Sequence, residues 1–403
     1  MAESTTAASP NRSLSRSGGL LLLVSVGVGN AANYGFQIVT GRSLGAQDYG
    51  LLGGLMAVAT IISVAGGSFQ TAAARAVAAG ETRPGRDVID RFSRSAIVAG
   101  LVVTAIAMAA SPLIGIFFDV GLLPIFGLAL LIVPALLSAI AAGRLQGAHR
   151  FGLMSGLSAG LALGKLAVAV AAAVIGVGVT SLMFGLALST FAGGAIGLWL
   201  ARDIGDIGFG VFSADVGRAM LAFTLFWVMV SADVPFARAF FDGEEAGHYA
   251  AAAVLGKAVL WLPSVVGLLV FPRLASASVA GEGATGIMRR AVMLSGGLTV
   301  VGVAGLYVLG DPMFRILYGE EYLPAADVAW RIGVACIPLA IVNLLLYERV
   351  AHRSNRFLVW LGVGTVAELG GFMAVHSSGS SFALVLVVSA TALLGALLVD
   401  RAT

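Results

Sequence analysis

Charge is scarce in this chain. Asp, Glu, Lys and Arg make up 11% of the 403 residues, against ~25% in an ordinary soluble domain, and that shortage excludes a soluble globular fold. Cysteine is scarcer still. Cys336 stands alone in an apolar run, so neither an intramolecular disulfide nor a cysteine-based metal site can form. The four histidines, His149, His248, His352 and His376, are scattered without ligand spacing, and no metal or cofactor is expected. Lysine occurs only twice, at Lys165 and Lys257. Aromatic residues are few and no basic patch is interleaved with them, so the net charge of +3 gives no support for nucleic-acid binding. A phosphate-binding loop is also missing. Gly164-Lys165-Leu166 lacks the upstream glycine (Ala159 stands there) and the following Ser or Thr. No gap is long enough for a folded domain, so transport driven by a built-in ATPase is not expected.

What the chain has is hydrophobicity in lengths that match a bilayer. Hydrophobic residues make up 59%, gathered into twelve apolar stretches of about 20 residues, each long enough to cross a hydrocarbon core of ~30 Å. They run over 19–40, 51–74, 95–117, 121–142, 153–176, 180–200, 216–237, 248–271, 291–310, 327–347, 357–376 and 381–399. The gaps alternate in charge. The N-terminal tail and the even-numbered gaps hold Arg12, Arg16, Arg83, Arg86, Arg91, Arg94, Arg144, Arg150, Arg202, Arg218, Arg289, Arg290, Arg349, Arg353 and Arg356. Arg75 and Arg273 sit at the membrane edge of the same side, while the odd-numbered gaps hold only Arg42, Arg238 and Arg315. Cytoplasmic loops carry the positive excess. The expectation is a multi-pass protein of the cytoplasmic membrane with both termini inside. Its first 18 residues are polar and read as a disordered tail.

The second half echoes the first at an offset of about 200 residues. Asn33 falls on Asp233, Phe36 on Phe236, Ala46 on Ala246 and Tyr49 on Tyr249; Arg75 corresponds to Arg273, and Gly147–Phe151 resembles His352–Phe357. Six spans per half keep both halves in the same orientation. The expected fold is therefore an all-α integral membrane protein: two six-helix lobes, residues 19–200 and 216–403, related by a parallel pseudo-two-fold repeat and joined by a cytoplasmic linker at 201–215. In such repeats the site lies between the lobes, and access alternates by rocking. Gly152, Gly156, Gly160 and Gly164 recur every four residues, a spacing expected to let helices approach closely. Pro134, Pro235, Pro263 and Pro338 mark expected kinks.

Four segments carry a family resemblance. They are Gly41–Gly50 (GRSLGAQDYG), Glu245–Tyr249 followed by Val270-Phe271-Pro272, Leu145–Phe151 (LQGAHRF), and Gly319–Ala326. Together they resemble polysaccharide-export (Wzx-type) flippases of the multidrug/oligosaccharidyl-lipid/polysaccharide exporter superfamily. The resemblance implies two six-helix lobes. It also implies a cargo, an oligosaccharide linked through diphosphate to a polyprenyl lipid, moved from the inner to the outer leaflet. Membrane lipids, a glycan polymerase and glycosyltransferases would be its partners. A cation-coupled multidrug exporter of the same superfamily is the competing reading, and the coupling ion, H+ or Na+, is left open.

Charges inside spans are the candidate site, because each costs ~2.5–3.5 kcal/mol at the bilayer centre unless it finds a partner or water. They are Lys165, Asp233, Lys257, Arg331 and Glu368, with Asn33 as a polar companion. The functional expectation is a cavity in which the cations balance the diphosphate. The structural alternative is a pair of ion pairs, Lys165–Glu368 or Lys257–Asp233. Arg331 could also snorkel to the interface. Arg75, Arg273, Arg144 and Arg150 are expected at the cytoplasmic entrance as lobe anchors or headgroup contacts.

Overall fold

The structure, a computed structural model, describes residues 16–83, 90–207, 214–261, 284–351 and 355–402. The expectations for Arg12, Arg86, Pro263, Arg273 and Arg353 lie outside the described residues. Nine described helices are long and apolar enough to cross a membrane, or ten if one bent pair is counted as a single span.

The first helix, α1 (Arg16–Ala78), covers the first two predicted spans and is broken at Gly45 (φ 74°, ψ 168°). A straight helix of this length would run about 95 Å, three times the hydrocarbon thickness. Tyr49 Oη donates to Gln37 Oε1 at 3.1 Å. Twelve residues of straight helix would set those two side chains about 18 Å apart along the axis, so the chain turns back at Gly45. Glycine is required at that point, because its φ is one that side chains disfavour.

The third predicted span is broken into α2 (Arg91–Ala109) and α3 (Ser111–Phe118), with Pro112 at the start of α3. The fourth comprises α4 (Leu122–Leu130) and α5 (Ile132–Gly147). The break at Leu131 precedes Pro134, whose ring opposes the carbonyl four residues back. Next come α6 (Phe151–Ile175) and α7 (Val179–Leu200). The seventh span is α8 (Ala214–Ser231) and α9 (Asp233–Phe240), bent by 41°. Pro235 explains the bend: it has no N–H to offer Ser231. α10 (Gly243–Ala258) follows, then α11 (Ala284–Leu317), α12 (Pro324–Ala351), α13 (Asn355–Ala374) and α14 (Gly379–Ala402).

Close packing is placed differently from the expectation. A Cβ at Gly152, Gly156 or Gly160 would meet nothing within 4 Å, so three of the four glycines in that stripe hold no helix close. The tight approaches are elsewhere. Gly143 and Gly147 of α5 abut the α1 backbone at Gln70 and Ala74, and Gly50 meets Gly247 where α1 crosses α10. Around that crossing Ala46, Tyr49, Ala246, Tyr249 and Ala250 are all buried. The outward surface is apolar instead: Leu113, Ile116 and Val174 are more than 70% exposed, as lipid-facing residues are.

The end predicted to face the cytoplasm carries a polar knot. Asp90 caps α2 through the Ser93 N–H at 2.8 Å and accepts from the Ile207 N–H at 2.7 Å. It also pairs with Arg144 at 3.0 Å, both side chains being almost wholly buried. Arg144 reaches the carbonyls of Ile204 and Gly205 as well. Thr82–Arg83 (β1) and Asp206–Ile207 (β2) form a short antiparallel ladder beside the knot. The headgroup-contact reading of Arg144 is thereby corrected, because a fully buried guanidinium with a buried carboxylate cannot meet lipid. Arg150 does lie at the surface, in a bidentate pair with Asp203 at 2.8 and 2.7 Å. Arg75 is exposed in the last turn of α1.

Candidate central cavity

A cavity of about 840 Å³ lies between α1, α5, α6 and α7 on one side and α8 and α10 on the other. Tyr49 and Gly53 line it where the halves cross. Its lining is exposed at Asn30, Asn33, Thr60 and Ser63, and it extends to Gln70 and Ser158 nearer the predicted cytoplasmic ends of α1 and α6. The walls mix apolar helix faces with amides (Asn30, Asn33, Gln37, Gln70), hydroxyls (Ser138, Ser158, Thr190, Ser231) and one indole, Trp227. Such a volume suits a ligand of several hundred daltons. The charged side chains among the described lining residues are Lys165 and Lys257, and no carboxylate is among them.

The two lysines are held differently. Lys165, well inside α6, places its Nζ 4.2 Å from the centroid of the buried Phe36 ring. A ring face attracts an ammonium by about 0.5–2 kcal/mol, the more so when the pair is shielded from water. Lys165 makes no ion pair among the described residues, so its charge is available. Lys257 instead bonds Asp233 Oδ1 at 2.5 Å, and Asp233 Oδ2 accepts from Tyr249 Oη at 2.9 Å. Asp233 is wholly buried while Lys257 keeps some exposure. The 41° bend puts Asp233 in the first turn of α9, where the helix dipole favours its negative charge.

The other expected members are not brought to the cavity. Glu368 on α13 is buried; its Oε2 accepts from Ser389 of α14 at 2.5 Å, and Oε1 has no partner among the described residues. The pairing Lys165–Glu368 is absent. Arg331 bridges to Asp327 at 2.8 Å, one helical turn away on α12, and lies partly exposed over Trp330. Neither Arg331 nor Asp233 is among the lining residues. Phe36, Tyr249 and Trp227 were missed as site residues. Only the repeat matches at Phe36 and Tyr249 hinted at two of them, and nothing marks Trp227.

Residues 15–278 match the profile of a family described as polysaccharide biosynthesis proteins. No curated protein sequence matches the chain. Among solved structures it resembles a lipid II flippase MurJ in an inward closed conformation, with TM-score 0.75 and 10% identity over 95% of this chain and 88% of that one. It also resembles an inward-facing multidrug resistance MATE family transporter of the MOP superfamily (TM-score 0.64, 13% identity, 93% and 96% covered). A third likeness is to the MATE multidrug transporter DinF-BH (TM-score 0.62, 13% identity, 97% and 96% covered). At these identities the likeness is one of fold.

Proposed function

The chain belongs to the polysaccharide biosynthesis protein family, and from that premise we propose that it is a flippase for a polyprenyl-diphosphate-linked oligosaccharide, carried from the inner to the outer leaflet. The observation that supports this reading over a drug exporter is the sign of the cavity. Its described lining has one unpaired ammonium, Lys165, a second, Lys257, held by Asp233, and no carboxylate, which suits an anion. Asp233, the carboxylate nearest the cavity among those expected in the site, is occupied by Lys257 and Tyr249. A diphosphate near Lys165 would gain an attraction stronger than in bulk water, because the cavity walls are apolar. Sugar hydroxyls would find the amides and the Trp227 face, while the prenyl chain stays among lipid tails.

In this reading α1 makes two crossings, α10 begins the eighth predicted span, and the chain crosses twelve times with both termini inside. Two rocking halves then expose the cavity alternately. Fluorescent-protein and phosphatase fusions test the topology, and a cytoplasmic signal from a fusion at Gly243 contradicts it. The activity is tested in proteoliposomes by comparing a fluorescent polyprenyl-diphosphate oligosaccharide with a cationic rhodamine dye. Flipping of the first without efflux of the second supports the reading, and the reverse pattern overturns it.

A further inference from the structure

At the end predicted to face outward the two halves meet along two seams of opposite chemistry. The first is polar. Arg42 donates from Nε to the Leu317 carbonyl at 2.9 Å and from Nη2 to the Ile316 carbonyl at 2.5 Å. These are last-turn carbonyls of α11, which have no partner within their own helix. Tyr322 Oη donates to the Gly41 carbonyl at 2.8 Å, and Glu321 accepts from the Ala46 N–H at 3.0 Å. The second seam is apolar. Phe117, at the end of α3, packs edge-on against Phe236 and Phe240 of α9, with ring centroids 5.6 and 6.5 Å apart. A long 3.5 Å contact from Arg238 to the Asp119 carbonyl is the polar tie beside it. Phe117 and Phe240 are each more than a third exposed, and the neighbouring Ile116 is 79% exposed.

We propose that the α3–α9 seam is the door through which the prenyl chain of the cargo passes at the outer leaflet, and that the Arg42 seam is the hinge. The inference rests on the flippase reading. A lipid-linked cargo requires that one seam open sideways into hydrocarbon. Opening the first would break four hydrogen bonds between the halves, against the single long Arg238 contact at the second. Opening the second exposes phenyl rings to acyl chains of the same polarity, and a prenyl chain can occupy the gap they leave. Chemistry therefore assigns the seams different roles although both join the same two halves.

The test uses full-length protein with Cys336→Ser and two cysteine pairs at exposed positions: at the door Ile116→Cys with Met373→Cys, the latter on α13 next to Phe372, whose ring packs on Phe236, and at the hinge Ser43→Cys with Ile316→Cys. Spin labels in nanodiscs report each distance. The door pair should show a second, longer population while the hinge pair keeps one narrow distance. Widening at the hinge, equal widening at both, or none at either overturns the proposal. In proteoliposomes, a bis-maleimide link at the door should abolish flipping of the fluorescent polyprenyl-diphosphate probe, and the same link at the hinge should leave it intact. A protein that never flips the probe, linked or unlinked, tells against the flippase reading; the distance measurement still decides between door and hinge.

Discussion

Lys165 and Lys257 face one cavity from opposite halves, yet only the second has a carboxylate. Lys257 is tied to Asp233, which is tied in turn to Tyr249. Lys165 has the face of a ring. A buried ion pair is costly to form and costlier to break on one side, because the partner is left as an uncompensated charge. A cation on a ring has no such dependant. The lesson is that two identical side chains lining one space divide into a charge that the protein uses itself and a charge that it leaves for a ligand.

The largest expected effect breaks the pair. Lys257→Ala should destabilise the protein by about 3–5 kcal/mol, as for other buried pairs stripped of one member. Lower abundance and an earlier thermal transition in detergent would report it. Replacing Lys257 by Met and Asp233 by Asn together should restore most of that loss. A Lys257→Ala protein as stable as the parent but inactive would erase the contrast, since both lysines would then serve cargo.

Lys165→Ala should behave in the opposite way. Stability should change by no more than about 1 kcal/mol, near the low end of cation–ring energies, while flipping is lost. Lys165→Arg should retain part of the activity, because it keeps the charge and alters its geometry. Normal flipping by Lys165→Ala would remove this residue from the anion site.

Phe36→Leu sharpens the comparison further. It keeps an apolar side chain but removes the ring face and some volume, and should cost about 1–2 kcal/mol. The lysine then loses the contact that fixes its position, so the apparent affinity for the probe should weaken more than the maximal rate. Equal losses in both would point to packing alone.

The exposed pair Arg150–Asp203 supplies the baseline, with the smallest effect. The hydrogen bond from Arg150 holds the Asp203 carboxyl below its usual range. Its contribution is present above the unfolded carboxylate value of about 3.9 and fades as pH falls through the lower folded value. Half-exposed as it is, it should contribute under about 1 kcal/mol. Arg150→Ala should therefore leave unfolding near neutral pH almost unchanged. A loss comparable to that of Lys257→Ala would mean that burial is not what separates the two kinds of pair.

Much of this arrangement can be read from the residues, and the unreadable parts have a common cause. Apolar run length announces membrane helices, and the scarcity of lysine makes Lys165 and Lys257 conspicuous. Pro235 announces the bend that carries Asp233. What periodicity does not carry is which face of a helix meets which neighbour. Glu368 and Lys165 are both deep in spans and of opposite charge, yet one lies against α14 and the other against Phe36. The four-spaced glycines misled for the same reason: small size permits an approach without choosing a partner. Asp90 carried a local sign, an Asp three residues before Ser93 at the head of a helix, but its longer-range partners, Arg144 and Ile207, are 54 and 117 residues away.

That knot also bears on how the chain is assembled during synthesis. Asp90 and Arg144 are both made long before Asp206 and Ile207, so the first six predicted spans can all be in the membrane while the guanidinium still lacks its Ile204 and Gly205 carbonyls and Asp90 its Ile207 N–H. The first half is therefore finished only when the ribosome has moved past the linker strand. The natural cut between halves falls after Ile207 rather than at the end of α7, Leu200. Two co-expressed fragments divided after Ile207 should reassemble where fragments divided after Leu200 do not.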